Sequence, residues 1–173
     1  MQRKTNKAVL AVIAIAFLTL GLSGCDLLQN LLGGGDTENQ ELLSKLFAAH
    51  DKATQEIQAY VQAHNGEGYP DYLPDGFYYS DAGSERTRTF TAYLNADGVQ
   101  LDGTDIKTFS GTPGASEIVG DNMNIRFRGS IGGDYLLEFA WTMSSPSTRN
   151  YSECKVNGED MLDDFLGMEP PAH

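Results

Sequence analysis

An enzyme of the nucleophile class needs a Ser or Cys with a His in reach and a third group to orient it. The chain has three histidines, His50, His64 and His173. His50 and His64 fall on the apolar stripe of one expected helix, 14 residues apart. At 1.5 Å per residue that is roughly 21 Å along the axis, too far to share a metal. They read as histidines packed or hydrogen-bonded where a helix meets a sheet. His173 ends a Pro-Pro-Ala-His tail. There is no His-Glu-x-x-His, Cys-x-x-Cys, glycine-rich phosphate loop or Gly-x-Ser-x-Gly. Asp97, Asp102 and Asp105 supply oxygens of the kind a hard cation wants, but the Glu that closes a twelve-residue calcium loop is missing. Asp-Gly pairs also serve hairpin turns. The expectation is no catalytic residue, no metal and no cofactor.

The remaining chemistry-bearing groups have blander readings. Glu153, Glu159, Asp160, Asp163 and Asp164 fit a solvated surface and the acidic first turn of a helix. Cys154 fits a small buried residue on a late strand. An exposed, intermolecular role is the other reading. Tyr60, Tyr69, Tyr72, Phe77, Tyr78 and Tyr79 cluster in sequence. Such aromatics line sugar and peptide sites, so Tyr69, Tyr72, Tyr78 and Tyr79 are the candidate binding surface. The same residues could instead pack a crossover onto the end of a sheet.

Composition bounds these readings. The chain has 173 residues, 12 Lys+Arg and 24 Asp+Glu, a formal charge of −12. That length suits one modest domain able to bury a core without disulfides. The acid excess argues against nucleic acid, which needs a basic face.

The first residues are an address. Arg3, Lys4 and Lys7 precede an apolar run from Ala8 to Leu20, then Gly21-Leu22-Ser23-Gly24-Cys25. A basic start, a short apolar run and small residues make a secretory signal peptide. The run is too short to span a bilayer comfortably. Leu22-Ser23-Gly24-Cys25 resembles the lipobox of bacterial lipoproteins, with Leu22, Ser23 and Gly24 as the signal peptidase recognition residues. The resemblance implies cleavage after Gly24 and acylation of Cys25, the palmitate-type anchor of a protein on the extracytoplasmic or periplasmic face of the cell envelope. The partner so implied is the lipid bilayer, reached through Cys25. Asp26 resembles the inner-membrane retention signal of enterobacterial lipoproteins, a lean toward the inner membrane. Removing residues 1–24 leaves 9 basic against 24 acidic side chains, a charge of −15. Anionic headgroups repel such a body.

The division expected is a signal peptide over 1–24, a lipidated Cys and tether over 25–35, a domain over 36–169 and a tail over 170–173. Gly33-Gly34-Gly35 breaks any helix ahead of the domain. A helix of nearly 28 residues follows, capped by Asp36 or Thr37, with Thr37 and Gln40 in capping-box spacing. Leu43, Leu46, Phe47, His50, Ala53, Ile57, Tyr60, Val61 and His64 form its apolar stripe. Asn65-Gly66 ends it.

Beyond Phe77 the pattern has period two. Strands are expected at Phe77–Ser80, Arg86–Leu94, Val99–Leu101, Thr104–Ser110, Met123–Ile131, Tyr135–Met143 and Arg149–Val156, with Asp102-Gly103 splitting two of them. Asp97-Gly98 marks a hairpin. A three-residue Gly132-Gly133-Asp134 loop would pair Phe127 with Phe139, Ile125 with Trp141 and Met123 with Met143. Glu159–Leu166 is expected as a short helix stopped by Gly167.

The fold class expected is α+β. A long N-terminal amphipathic helix packs on an antiparallel sheet of about 6–7 strands, possibly curled into a half-barrel. In element order alone this resembles cystatin-like folds. The functional expectation is a membrane-anchored, non-catalytic binding module for an envelope protein, peptide or glycan. The alternative is a small-ligand carrier with an apolar cavity between helix and sheet, and an enzyme stands third.

Overall fold

The structure, a computed structural model, describes residues 36–65, 72–112, 115–145 and 148–168. The lipobox with Cys25, the tether, Tyr69 and His173 lie outside the described residues. The fold is α+β. Helix α1 spans Thr37–Asn65 and precedes every strand. Seven strands follow: β1 Phe77–Asp81, β2 Glu85–Leu94, β3 Val99–Thr112, β4 Ala115–Gly129, β5 Tyr135–Ser145, β6 Thr148–Val156 and β7 Glu159–Asp160. A short helix α2, Leu162–Leu166, ends the described chain. The strands form one open antiparallel sheet whose spatial order is the chain order, β1 to β7.

Local chemistry explains the ends of α1. Asp36 caps it: its Oδ1 accepts the Glu38 amide at 3.0 Å and its carbonyl accepts the Gln40 amide at 3.0 Å. The stripe then sorts by burial. Leu43, Leu46, His50, Ala53 and Ile57 are buried, and Phe47 packs against the same core half-buried. Toward the end of the helix the stripe leaves the core, and His64 is exposed. That corrects its expected place at a helix–sheet boundary. His64 stacks on Tyr60 at 4.0 Å and its Nδ1 meets the Tyr60 carbonyl at 2.8 Å, contacts within its own helix.

One face of the sheet joins these helix residues in a single core. Phe90 and Tyr93 come from β2, Leu101 from β3, and Met123, Ile125 and Phe127 from β4. β5 adds Leu137, Phe139 and Trp141, and β6 adds Cys154 and Val156. Phe47 of α1 meets Phe139 edge-on at 5.1 Å, and Phe165 of α2 lies 5.6 Å from Phe47 and 5.0 Å from Phe139. Asp164 of α2 ties to the start of α1, accepting the Asp36 amide at 2.6 Å and Asn39 Nδ2 at 2.8 Å.

Asn95, buried at the β2–β3 turn, fastens that turn to the helix. Its Oδ1 accepts the Asp97 and Val99 amides at 3.1 and 2.9 Å, and its Nδ2 donates to the Ala49 carbonyl at 3.4 Å. Glu56 of α1 accepts the neighbouring Ala96 amide at 3.1 Å.

Three expectations are corrected. Asp102-Gly103 does not split a strand, because β3 runs unbroken through it. The irregularity sits across the ladder, where β2 bulges between Phe90 and Tyr93. Ala92 takes a left-handed φ of 52° there, and its amide donates to Asp102 Oδ1 at 2.7 Å. Second, Phe127 pairs with Tyr135, Ile125 with Leu137 and Met123 with Phe139. The β4–β5 turn closes earlier than expected because Gly129 takes a φ of 87° and its carbonyl accepts the Gly132 amide at 3.2 Å. The offset is an even number of residues, so each side chain keeps its expected face. Third, Glu159 and Asp160 form strand β7 against β6, and only Leu162–Leu166 is helical.

Candidate functional site

The apolar face of the sheet changes character at one end. Along β3, inward positions alternate from Leu101 through Gly103 to Asp105, and Lys107 continues the row. On β4, Asp121 precedes Met123, Ile125 and Phe127 on the same face. Lys107 and Asp121 are cross-strand partners, and Asp121 also lies opposite Trp141 of β5. Arg88 of β2 lies opposite Asp105. Above this patch sits His50 of α1.

The result is an ionic cluster enclosed between helix and sheet. Asp105 is fully buried, His50 is 5% exposed and Asp121 9%. Asp105 Oδ2 lies 3.3 Å from His50 Nε2 and 3.3 Å from Arg88 Nη1, and its Oδ1 lies 3.8 Å from Lys107 Nζ. Lys107 Nζ donates to Asp121 Oδ2 at 2.6 Å. On the helix side, His50 Nδ1 comes within 3.8 Å of the exposed Asp51 carboxylate. The His50 ring also meets Phe90 edge-on at 6.0 Å. Three buried polar atoms of the cluster have no hydrogen-bond partner among the described residues: His50 Nε2, Asp105 Oδ1 and Asp121 Oδ1. The His50–Asp105 contact is thus an ion-pair approach without hydrogen-bond alignment.

Charge and burial set the protonation of the cluster. Burial opposes a charged His50, but Asp105 and Asp51 outweigh it, and the imidazole holds its proton to higher pH than an ordinary histidine. Burial likewise opposes a charged Asp105, yet His50 and Lys107 hold its carboxyl well below the usual carboxylate range. Asp121 goes the other way: burial and the Asp105 charge beside it push it up, with Lys107 opposing. The two carboxyls divide as neighbouring acids do: Asp105 ionises first, and Asp121 holds its proton up to about 6. Such a cluster can store and release protons while bridging α1, β2, β3 and β4.

The other expected site residues are spread over the molecule. Tyr78 projects from β1 and is 61% exposed, and Tyr72, ahead of the strand, is 62% exposed. Tyr79, its neighbour on β1, is half-buried against the core, and its hydroxyl donates to Asp81 Oδ2 at 3.4 Å. Of the three acids weighed for calcium, Asp97 is exposed at the turn, Asp102 braces the β2 bulge and Asp105 faces the core. Asp102 and Asp105 lie on opposite faces of β3. No family model, no curated protein and no solved structure matches the chain.

The ionic cluster escaped the sequence reading. Its signal was parity: Asp105, two residues beyond Gly103, and Asp121, two before Met123, fall in the inward register of apolar strands.

Proposed function

We propose that the chain is a bacterial lipoprotein, anchored through acylated Cys25 on the extracytoplasmic face of a cell membrane, with Asp26 leaning it to the inner one. Its α+β body is a non-catalytic binding module for an envelope protein, peptide or glycan. In the same proposal α1 is the N-terminal cover of a sheet that curls toward a half-barrel. The observation that carries the reading is the order of a basic start, a short apolar run and Leu22-Ser23-Gly24-Cys25. Two acyl chains make a stable anchor where one is marginal.

The binding part draws support from β1. It is an outer strand of an open sheet, and it carries the exposed Tyr78. An edge strand offers main-chain groups to an extended peptide, and tyrosine offers stacking area. The carrier alternative needs an apolar cavity between helix and sheet. Leu46, Phe90, Leu101, Ile125 and Phe127 lie fully buried in that layer, which favours a filled core and an outward-facing role.

Two measurements test the proposal. Labelled palmitate should enter the wild-type chain and not Cys25→Ala, and equal labelling of both would refute the anchor. A photo-cross-linker at Tyr78 should trap a defined envelope component in cells, whereas one at exposed Asp97 should not. Identical products from both positions would refute β1 as the binding edge.

A further inference from the structure

The buried cluster at His50 goes beyond an anchored binding module. Its members come from four separate elements, so it is a junction. His50 belongs to α1, Arg88 to β2, Asp105 and Lys107 to β3, and Asp121 to β4. Charged and titratable groups face His50 from each of these elements: Asp51 on its own helix, Arg88 on β2, Asp105 and Lys107 on β3, Asp121 on β4. Beyond Asp121, β5 presents Trp141, which pairs with Tyr151 of β6 and has the Arg149 guanidinium 4.8 Å from its ring. Among the described residues α1 also meets the sheet through the apolar core, through Asn95 and Glu56 at the β2–β3 turn, and through Glu56 beside the Tyr93 hydroxyl.

We propose that the His50–Asp105–Asp121 junction is a proton-operated latch that fastens α1 to strands β2–β4 and loosens when its protons are lost. A protonated imidazole faces Asp105 as a cation at 3.3 Å, and its loss leaves a neutral ring against a fully buried carboxylate. A proton on Asp121 relieves the repulsion between two enclosed carboxyls, and its loss puts a second negative charge beside the first. Arg88 compensates only Oδ2 of Asp105 and Lys107 only Oδ2 of Asp121, while both Oδ1 atoms and His50 Nε2 lack partners among the described residues, which makes the junction sensitive to these steps.

The sign follows from linkage. His50 and Asp121 both bind a proton more tightly in the folded chain than in the unfolded one. Their stabilisation is complete below the unfolded values, 6.5 for the His and 3.8 for the Asp, and is lost as pH rises through the folded ones. The latch is closed in mild acid and weakens toward alkaline pH. Cell-envelope compartments follow the pH of the surroundings, so the state of the latch would report it.

The test uses the full chain in detergent micelles between about pH 5 and pH 9, a range spanning the His transition. Urea denaturation should show the folded-to-unfolded ratio falling as pH rises, by about tenfold for each pH unit by which a folded value exceeds the unfolded one. Amide exchange, corrected for intrinsic rates, should show His50–Ile57 losing protection before Met123–Phe127. His50→Gln should remove the part of the fall near neutrality, and Asp121→Asn the part at lower pH. Unchanged pH profiles in both variants, or helix and strand amides losing protection together, would overturn the latch. If His50→Gln does not fold, ring-carbon NMR of the wild type decides: a His50 midpoint above 6.5 supports the latch, and one at or below it refutes it.

Discussion

Lys107 and Asp121 face each other across β3 and β4, and Lys107 Nζ reaches Asp121 Oδ2 at 2.6 Å at the edge of an apolar core, beside His50, Arg88 and Asp105. Breaking such a pair from one side costs more than removing both partners, because the survivor stays buried and uncompensated.

Lys107→Met should therefore destabilise the fold at neutral pH by about 2–3 kcal/mol, somewhat below the range for a fully enclosed pair because Lys107 keeps some contact with water. Adding Asp121→Leu to Lys107→Met should recover part of that loss. Urea denaturation of the single and double variants checks both statements, and a double variant worse than the single would contradict them.

Gly103 lies at a φ of 139°, and a Cβ there would come within 2.1 Å of the Asn124 carbonyl oxygen on the paired strand. Gly103→Ala should cost at least about 2 kcal/mol, since it adds a steric clash to an unfavourable backbone conformation. A melting temperature unchanged from wild type would show that β3 and β4 are not paired in this register.

Trp141 is 7% exposed, with the Arg149 guanidinium 4.8 Å from its ring centre. Trp141→Ala should cost about 3–5 kcal/mol, as truncation of core aromatics does. Since Trp141 is the single tryptophan, native fluorescence should be blue-shifted and poorly quenched by iodide, and both properties should disappear on unfolding.

Cys154 is fully buried, and burial, then Asp160 and Asp164, push its thiol up to about 12. At pH near 8 it should resist iodoacetamide in the native protein and react once urea unfolds the chain, because the thiolate is the reactive form. Mass spectrometry of the Cys154 peptide distinguishes the two states. Rapid native labelling would return this residue to its intermolecular reading.

The elements themselves were legible wherever hydrophobic alternation was uninterrupted. Tyr135–Met143 is strongly periodic, and it lies within β5. The α1 stripe was read correctly as far as Ile57, and failed at His64 because periodicity does not say where a helix runs past the sheet it covers. Asp102-Gly103 misled for a physical reason: Asp-Gly is turn chemistry in isolation, whereas here Gly103 permits close approach of β4 and Asp102 holds the bulge of β2. That false break also hid the parity of Asp105. Read as one strand from Val99, β3 places Asp105 inward beside Leu101, and a buried carboxylate calls for partners such as His50 and Lys107. The β4–β5 register turned on Gly129, whose left-handed conformation competes with that of the later glycines and is not visible in residue type alone.

The sequential order of the strands has a kinetic consequence. Each ladder from β1–β2 to β6–β7 joins neighbours in the chain, so every pairing closes a short loop at small entropic expense. Hairpins can thus zip one after another as the polypeptide emerges, without waiting for a distant segment. Helix α1 is the exception. Although it is made before every strand, its partners reach as far as Phe165, and the Asp36–Asp164 contact spans 128 residues. The helix made ahead of the strands is thus the one whose docking must finish last, and until then its leucine stripe needs protection from aggregation.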